Sequence, residues 1–336
     1  RERSASLGLI ASKVLLEGPL KKKEGSYLLS GRFGYPGVVA GLLGSNLTSK
    51  PQMWFYDVNA KVNRTLDARN RMFFSLYSGG DHTVFNKLVK GYGMDWGNAT
   101  ATIRWNHILN DKTNVNTSAV FSNYYYKYKS LSDGLRYVWK SNMQSYQLKS
   151  DWERYQNNLL TLKGGVNLHY FTTMPGEVGK SGKDSNITPS QMPRKSLWDA
   201  ALYAEANYKF LPRFLLNAGV RLSVLHAPAS AYYAAKTFVM PEPRAELSFI
   251  PNASHRFSAS YTQAAQSIHM LTTSSVGIPS DMWMPANALL KPSVMRQLAL
   301  GYEYNFPDKE YTLSLEAYMR RTSHVVDYRK NADIFQ

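Results

Sequence analysis

The chain has 336 residues, a formal charge of +16 and no cysteine, so a disulfide framework is excluded. It contains no run of about 18 apolar residues, which excludes a transmembrane helix. The mean hydropathy of −0.37, combined with 13% aromatic residues, fits both a large soluble β-protein and a membrane β-barrel with a polar lumen.

Alternation of apolar with small or polar residues predicts fourteen β-strands. They span residues 4–17, 26–35, 53–64, 71–79, 94–109, 113–128, 135–151, 158–171, 198–210, 213–225, 240–250, 255–266, 292–306 and 310–326. The tenth is the clearest, because only Leu215 departs from a strict alternation that runs from Phe214 to Val224. Strands of soluble proteins have about 5–6 residues, whereas a tilted strand that crosses a bilayer needs about 9–11. Most of the predicted strands therefore have the length of a membrane crossing.

Short and long connections alternate between these strands. The short ones are residues 66–69, 110–112, 155–157, 211–212, 251–254 and 307–309, and the long ones are 36–52, 80–93, 172–197, 226–239 and 267–291. Aromatic residues such as Phe214, Phe249 and Tyr304 gather beside the short turns. Outer-membrane barrels have short periplasmic turns, longer outer loops and aromatic girdles. The sequence therefore predicts an all-β fold, a transmembrane antiparallel β-barrel in the outer membrane of a Gram-negative bacterium.

Charged residues on the polar side of the predicted strands should face the barrel lumen, because a charge in lipid costs about 2–4 kcal/mol at mid-bilayer. These residues are Asp151, Glu153, Glu205, Lys209, Arg221, Arg244, Glu246, Glu303, Glu316 and Arg320. We expect ligand to bind to aromatic and polar groups of the outer loops. These are Tyr124, Tyr126, His269, Trp283 and Met284. Open sheet edges leave backbone groups unpaired in hydrocarbon, so we expect the barrel to close with strands outside this chain.

Several other functions find no support in the sequence. Residues 176–181 (GEVGKS) are similar to a phosphate-binding loop, but Met174 stands where its first glycine belongs. The seven histidines lack metal-ligand spacing and no serine–histidine pair stands out, so neither a metal, a cofactor nor an enzyme is predicted. Lysine and arginine are spread along the chain without a nucleic-acid motif, so no nucleic-acid partner is expected. The positive charge instead suits anionic ligands or anionic lipid head groups.

Ordered segments of the chain resemble the barrel of TonB-dependent outer-membrane receptors of the Bacteroidetes type. Residues 8–23 with 27–32 resemble the first barrel hairpin, and residues 55–63 with 74–81 resemble the next. Residues 278–285, 290–292 and 300–304 resemble the loop and strand that carry the family's N-x-x-L-K-P-E signature, in which Ser293 here replaces the acidic residue. The resemblance implies a barrel of twenty-two strands that encloses an N-terminal plug domain.

The resemblance also implies a function and partners. The function is active, TonB-energised import of a scarce solute too large for porins, such as a siderophore, haem, cobalamin, a glycan or a peptide. The partners are the protein's own plug domain, TonB through a region N-terminal to this chain, outer-membrane lipid, lipopolysaccharide and a surface lipoprotein. Residues 1–336 would form the first part of the barrel, without the plug and the C-terminal strands. The residues alone leave open a passive porin and a surface-adhesion or structural barrel.

Overall fold

The computed structural model describes residues 2–20, 24–43, 52–85, 91–132, 135–182, 188–271, 282–307 and 310–327. Sixteen strands form one antiparallel sheet, and fifteen of them lie side by side in chain order. The first nine are β1 (Glu2–Leu7), β2 (Ala11–Pro19), β3 (Gly25–Gly34), β4 (Gln52–Thr65), β5 (Asn70–Phe85), β6 (Tyr92–Asn110), β7 (Thr113–Ser132), β8 (Leu135–Asn157) and β9 (Leu160–Lys180). A short helix, α1 (Pro36–Leu43), lies between β3 and β4.

The second half of the chain continues the same sheet. Its strands are β11 (Lys195–Leu211), β12 (Phe214–Ala227), β13 (Lys236–Asn252), β14 (His255–Gln266), β17 (Ser293–Asn305) and β18 (Thr312–Ser323). The two-residue strand β10 (Ser190–Gln191) pairs with β9 only. Between β14 and β17 the chain leaves the sheet and forms a separate hairpin from β15 (Ile268–Leu271) and β16 (Met282–Pro285).

The predicted all-β antiparallel architecture is confirmed, but the first predicted strand, residues 4–17, is wrong. It is a hairpin of β1 and β2. Gly8 donates its N–H to the Ala11 carbonyl over 3.0 Å, and a Cβ on Gly8 would lie 2.9 Å from that oxygen. The missing side chain therefore permits a tight turn that the alternation does not reveal.

Two predicted loops are largely strand. Residues 80–93 are shortened because β5 and β6 extend into them, and residues 172–197 are shortened because β9 and β11 do the same. Parts of the predicted loops 36–52, 80–93, 172–197 and 267–291, of the predicted turn 307–309 and of the signature segment 278–285 lie outside the described residues. Among the residues that the structure describes, no helix is long and apolar enough to cross a membrane.

The sheet has one apolar and one polar face, as strand alternation requires. Leu148 pairs with Leu168, which pairs with Ala200, and both leucines remain exposed on the apolar face. The neighbouring positions Lys149 and Asp151 point the other way and form a 2.8 Å ion pair on the polar face. The apolar face is therefore suited to lipid, and the polar face to a solvated or protein-filled interior.

The two rims of the sheet also differ. At the short-turn rim, aromatic rings follow one another across the apolar face: Phe214 and Phe249 have centroids 4.8 Å apart, and Phe257 and Tyr302 have centroids 5.0 Å apart. At the long-loop rim, β7, β8 and β9 extend further than a bilayer crossing needs, with 20, 23 and 21 residues. The excess length carries the polar face of these strands beyond the membrane.

Candidate functional site

The extended ends of β7, β8 and β9 carry bulky side chains on the polar face. Tyr126, Trp139 and Val178 all lie there, and Trp139 pairs directly with Val178 across the two strands. The indole ring of Trp139 lies against Gly176, where a Cβ would come within 2.4 Å of two ring atoms. The glycine therefore lets the tryptophan pack against the backbone of β9.

The β15–β16 hairpin covers these side chains. Leu271 and Met282 from the hairpin and Tyr126, Trp139 and Val178 from the sheet form one buried cluster, called here the vestibule cluster. Tyr126 is only 1% exposed. The Thr173 hydroxyl donates to the Trp283 carbonyl over 3.5 Å, which adds a polar contact between β9 and the hairpin. The hairpin is thus docked on the polar face at the long-loop rim.

A histidine holds the base of the hairpin. His269 is 5% exposed, and its Nε2–H donates to the Lys291 carbonyl over 3.0 Å. The adjacent Ser293 hydroxyl donates to the His324 carbonyl over 2.8 Å. Burial lowers the pKa of His269 from its ordinary value of 6.5, although the bond to Lys291 opposes the shift. The docked hairpin therefore favours the neutral imidazole.

Acidification should loosen this hairpin. Because the pKa of His269 is lower when docked than when released, the released form binds more protons as pH falls below about 6.5, and docking weakens. Hydrogen exchange of residues 268–271 in the full-length protein should show less protection at about pH 5.5 than at about pH 7.5. His269→Gln should remove this difference, whereas His226→Gln, at an exposed histidine on the same rim, should keep it. Equal protection at both pH values in the unmodified protein would contradict the role of His269.

The five residues predicted to bind ligand come close together, although they lie on strands and not in irregular loops. Tyr124 and Met284 pack against the vestibule cluster, Tyr126 belongs to it, and His269 pairs with Met284 across the hairpin. Trp283 lies on the opposite side of the hairpin from Met284, where it pairs with Met270. Four further members of the cluster were not predicted: Trp139, Val178, Leu271 and Met282. Trp139 was detectable, because it interrupts the polar side of its predicted strand.

Strand register places nine of the ten charged residues predicted to face the lumen on the polar face, and the tenth, Lys209, falls in the irregularity of β11 between Tyr208 and Leu211. Glu205, Arg221 and Arg244 line one cleft there. Glu246, Glu303 and Glu316 line a second, which Arg256 enters to pair with Glu246 over 2.8 Å. Acidic and basic groups thus lie together on this face, which suits contact with a protein surface of mixed charge.

One buried network on this face was not predicted. Glu242, 6% exposed, accepts the Ser223 hydroxyl proton over 2.7 Å and the backbone N–H of Ala265 over 3.1 Å. Arg221 donates to the same Ser223 hydroxyl over 3.1 Å. The three side chains tie β12, β13 and β14 together, and their pairing depends on register, which the sequence alone does not reveal.

The phosphate-loop-like segment does not have the structure that its sequence pattern requires. Residues 176–180 of the phosphate-loop-like segment belong to strand β9 and do not form a phosphate-binding turn before a helix. Among the described residues, no group of three or more histidine, aspartate or glutamate side chains is arranged to hold a metal ion.

Comparison with known families now decides the identity of the fold. Residues 40–336 match the model of the family described as TonB dependent receptor-like, beta-barrel. The chain belongs to the TonB-dependent receptors. The predicted transmembrane β-barrel and its outer-membrane location are thereby confirmed. Among curated protein sequences, none is significantly similar to this receptor chain.

Solved structures of other receptors share its fold. The ferric yersiniabactin uptake receptor of Yersinia pestis has a TM-score of 0.71 at 11% identity, over 93% of this chain and 52% of its own. The ferric-catecholate import receptor of K12 E. coli has a TM-score of 0.68 at 13% identity, over 98% and 59%. The ferric preacinetobactin receptor of Acinetobacter baumannii has a TM-score of 0.66 at 12% identity, over 92% and 51%. The receptor chain thus spans between half and three fifths of the length of these structures.

Proposed function

We propose that this chain is the barrel portion of a TonB-energised importer of a scarce solute too large for porins. The observation that carries the proposal is the match of residues 40–336 to the TonB-dependent receptor barrel. The two-faced sheet supports it, because an apolar outer surface and a charged inner one suit a barrel that surrounds another protein domain. The protein is a transporter and not an enzyme.

The polar face is the proposed contact surface for the receptor's own plug domain. Its acidic and basic groups already form ion pairs, such as Lys149 with Asp151 and Arg256 with Glu246, but these remain partly exposed. Such groups can exchange partners with a plug of mixed charge without leaving a buried charge unpaired. TonB would act on the plug through a region N-terminal to this chain.

The vestibule cluster and its hairpin are the proposed entry site for the solute. The aromatic and methionine side chains that line it, including Tyr124, Trp139 and Met284, suit a ligand with apolar or aromatic surface. The solved structures of similar fold include a siderophore receptor, a ferric yersiniabactin uptake receptor and a copper transporter. A siderophore, haem, cobalamin, a glycan or a peptide remains the proposed substrate class.

Energy dependence tests the transport proposal. The full-length receptor is expressed in a host with and without TonB, and cells are given an iron-loaded catecholate siderophore, haem, cobalamin and a labelled oligosaccharide. We expect uptake of one of these probes to require both the receptor and TonB. Receptor-dependent uptake that persists without TonB would support a passive channel instead. Receptor-dependent attachment of cells without uptake of any probe would support an adhesion barrel.

A further inference from the structure

A group of lysines lies on the apolar side of the sheet at the long-loop rim. Lys127 and Lys129 follow each other on one side of β7, and Lys140 is the direct cross-strand partner of Lys127 on β8. Lys127 follows Tyr126 on β7, and Lys140 follows Trp139 on β8. Both aromatic side chains belong to the vestibule cluster and point to the polar face. The lysine triad of Lys127, Lys129 and Lys140 therefore points outward, away from the lumen.

This arrangement concentrates positive charge that the neighbouring acids only partly neutralise. Like charges directly opposite each other destabilise a strand pair. Lys140 pairs with Glu177 over 3.1 Å, but Asp95, the other cross-strand neighbour of Lys127, is hydrogen-bonded to His82. Within the described part of the chain, Lys127 and Lys129 have no ion-pair partner. An anion at this position would relieve the repulsion.

The height of the triad above the apolar band indicates where that anion lies. A strand tilted by about 40° climbs roughly 2.5 Å per residue along the membrane normal, so an apolar band of about 25 Å takes about ten residues. Trp152 lies on β8 beside the short turn at residues 155–157 and marks the lower edge of the apolar band. Ten residues from Trp152, the band ends near Asn142 on the same strand. Lys140 is the next outward-facing residue, and Lys127 lies beside it. The triad therefore lies where the acyl chains of the outer leaflet meet their head groups.

We propose that the lysine triad is a binding site for the phosphorylated head group of lipopolysaccharide in the outer leaflet. Below the triad, Tyr146 and Leu148 are exposed on the apolar face and can contact the acyl chains of the lipid. Above them, the ammonium groups of Lys127 and Lys129, with that of Lys140 beside Glu177, attract the phosphates. One lipid molecule can thus bridge the apolar face and the extended ends of β7 and β8.

The test measures lipid binding to the purified full-length receptor by native mass spectrometry. We expect lipid A with two phosphates to bind at least about tenfold more tightly than lipid A from which both phosphates were removed. The triple variant Lys127→Gln, Lys129→Gln, Lys140→Gln should lose this preference. The control variant Lys149→Gln, Lys163→Gln alters the polar face of β8 and β9 and should retain it. Heat-modifiable gel migration verifies that both variants are folded.

Two results would overturn the site. If the folded triple variant keeps the unmodified preference for phosphorylated lipid A, the lysines do not bind the head group. If inorganic phosphate at the concentration of the lipid displaces lipid A, the triad is a site for a free anion and not for a lipid.

Discussion

Replacing Leu202 with arginine should lower the free energy of unfolding of the full-length receptor in lipid vesicles by about 2–4 kcal/mol. Leu202 lies on the apolar face of β11 and is 62% exposed. It is six residues from Tyr208, the ring near the short-turn rim, which places it close to the middle of the bilayer. The arginine would have to bring its charge into hydrocarbon or distort the lipid around it.

The matched control is Asn207→Arg on the same strand. Asn207 lies on the polar face, opposite Asn217, so the same new charge remains in the barrel interior. Urea unfolding in vesicles, followed by heat-modifiable gel migration, should give a change below about 1 kcal/mol for this variant. Equal losses for the two variants would contradict the assignment of the two faces.

Removing the carboxylate of Glu242 should destabilise the receptor by about 1.5–3 kcal/mol. The carboxylate accepts hydrogen bonds from Ser223 and from the Ala265 backbone, and Arg221 Nε lies 3.7 Å away. Glu242→Ala would leave the Ala265 N–H without its acceptor and the Arg221 charge without its neighbour. Partial exposure of Arg221 keeps the loss below that of a fully buried pair.

Glu246→Ala provides the comparison four residues along the same face of β13. Glu246 pairs with Arg256 over 2.8 Å, but both side chains are more than one third exposed, so solvent screens the interaction. The same unfolding measurement should give at most about 1 kcal/mol for this variant. A larger loss for Glu246→Ala than for Glu242→Ala would show that the buried network does not join β12, β13 and β14 as described.

The existence of the strands was predictable because lipid imposes a strict two-residue period on each crossing. Where that constraint ends, prediction also fails. The turn at Gly8 depends on a missing side chain, and the outer ends of β5 and β9 lie beyond the segment that the apolar pattern defines. The β15–β16 hairpin was missed because its strands have only four residues each and carry apolar side chains on both faces.

The candidate site was predictable by residue type but not by arrangement. Aromatic and polar character alone selected Tyr126 and His269, which the structure places near each other. Their packing partners depend on a hairpin that folds back over strands more than a hundred residues away, as the contact between Thr173 and Trp283 illustrates. Such long-range contacts leave no periodic signal in a single sequence.

The long paired ends of β7, β8 and β9 have a consequence for how fast and how selectively a solute could be captured. A binding surface carried on an irregular loop must be immobilised when it binds, and this lost freedom weakens affinity. Tyr126 and Trp139 instead belong to strands whose backbone is fixed by a ladder of hydrogen bonds before any solute arrives. Because the docked β15–β16 hairpin buries both of these side chains, displacement of the hairpin would set the rate of capture, and the rigid wall would set its selectivity.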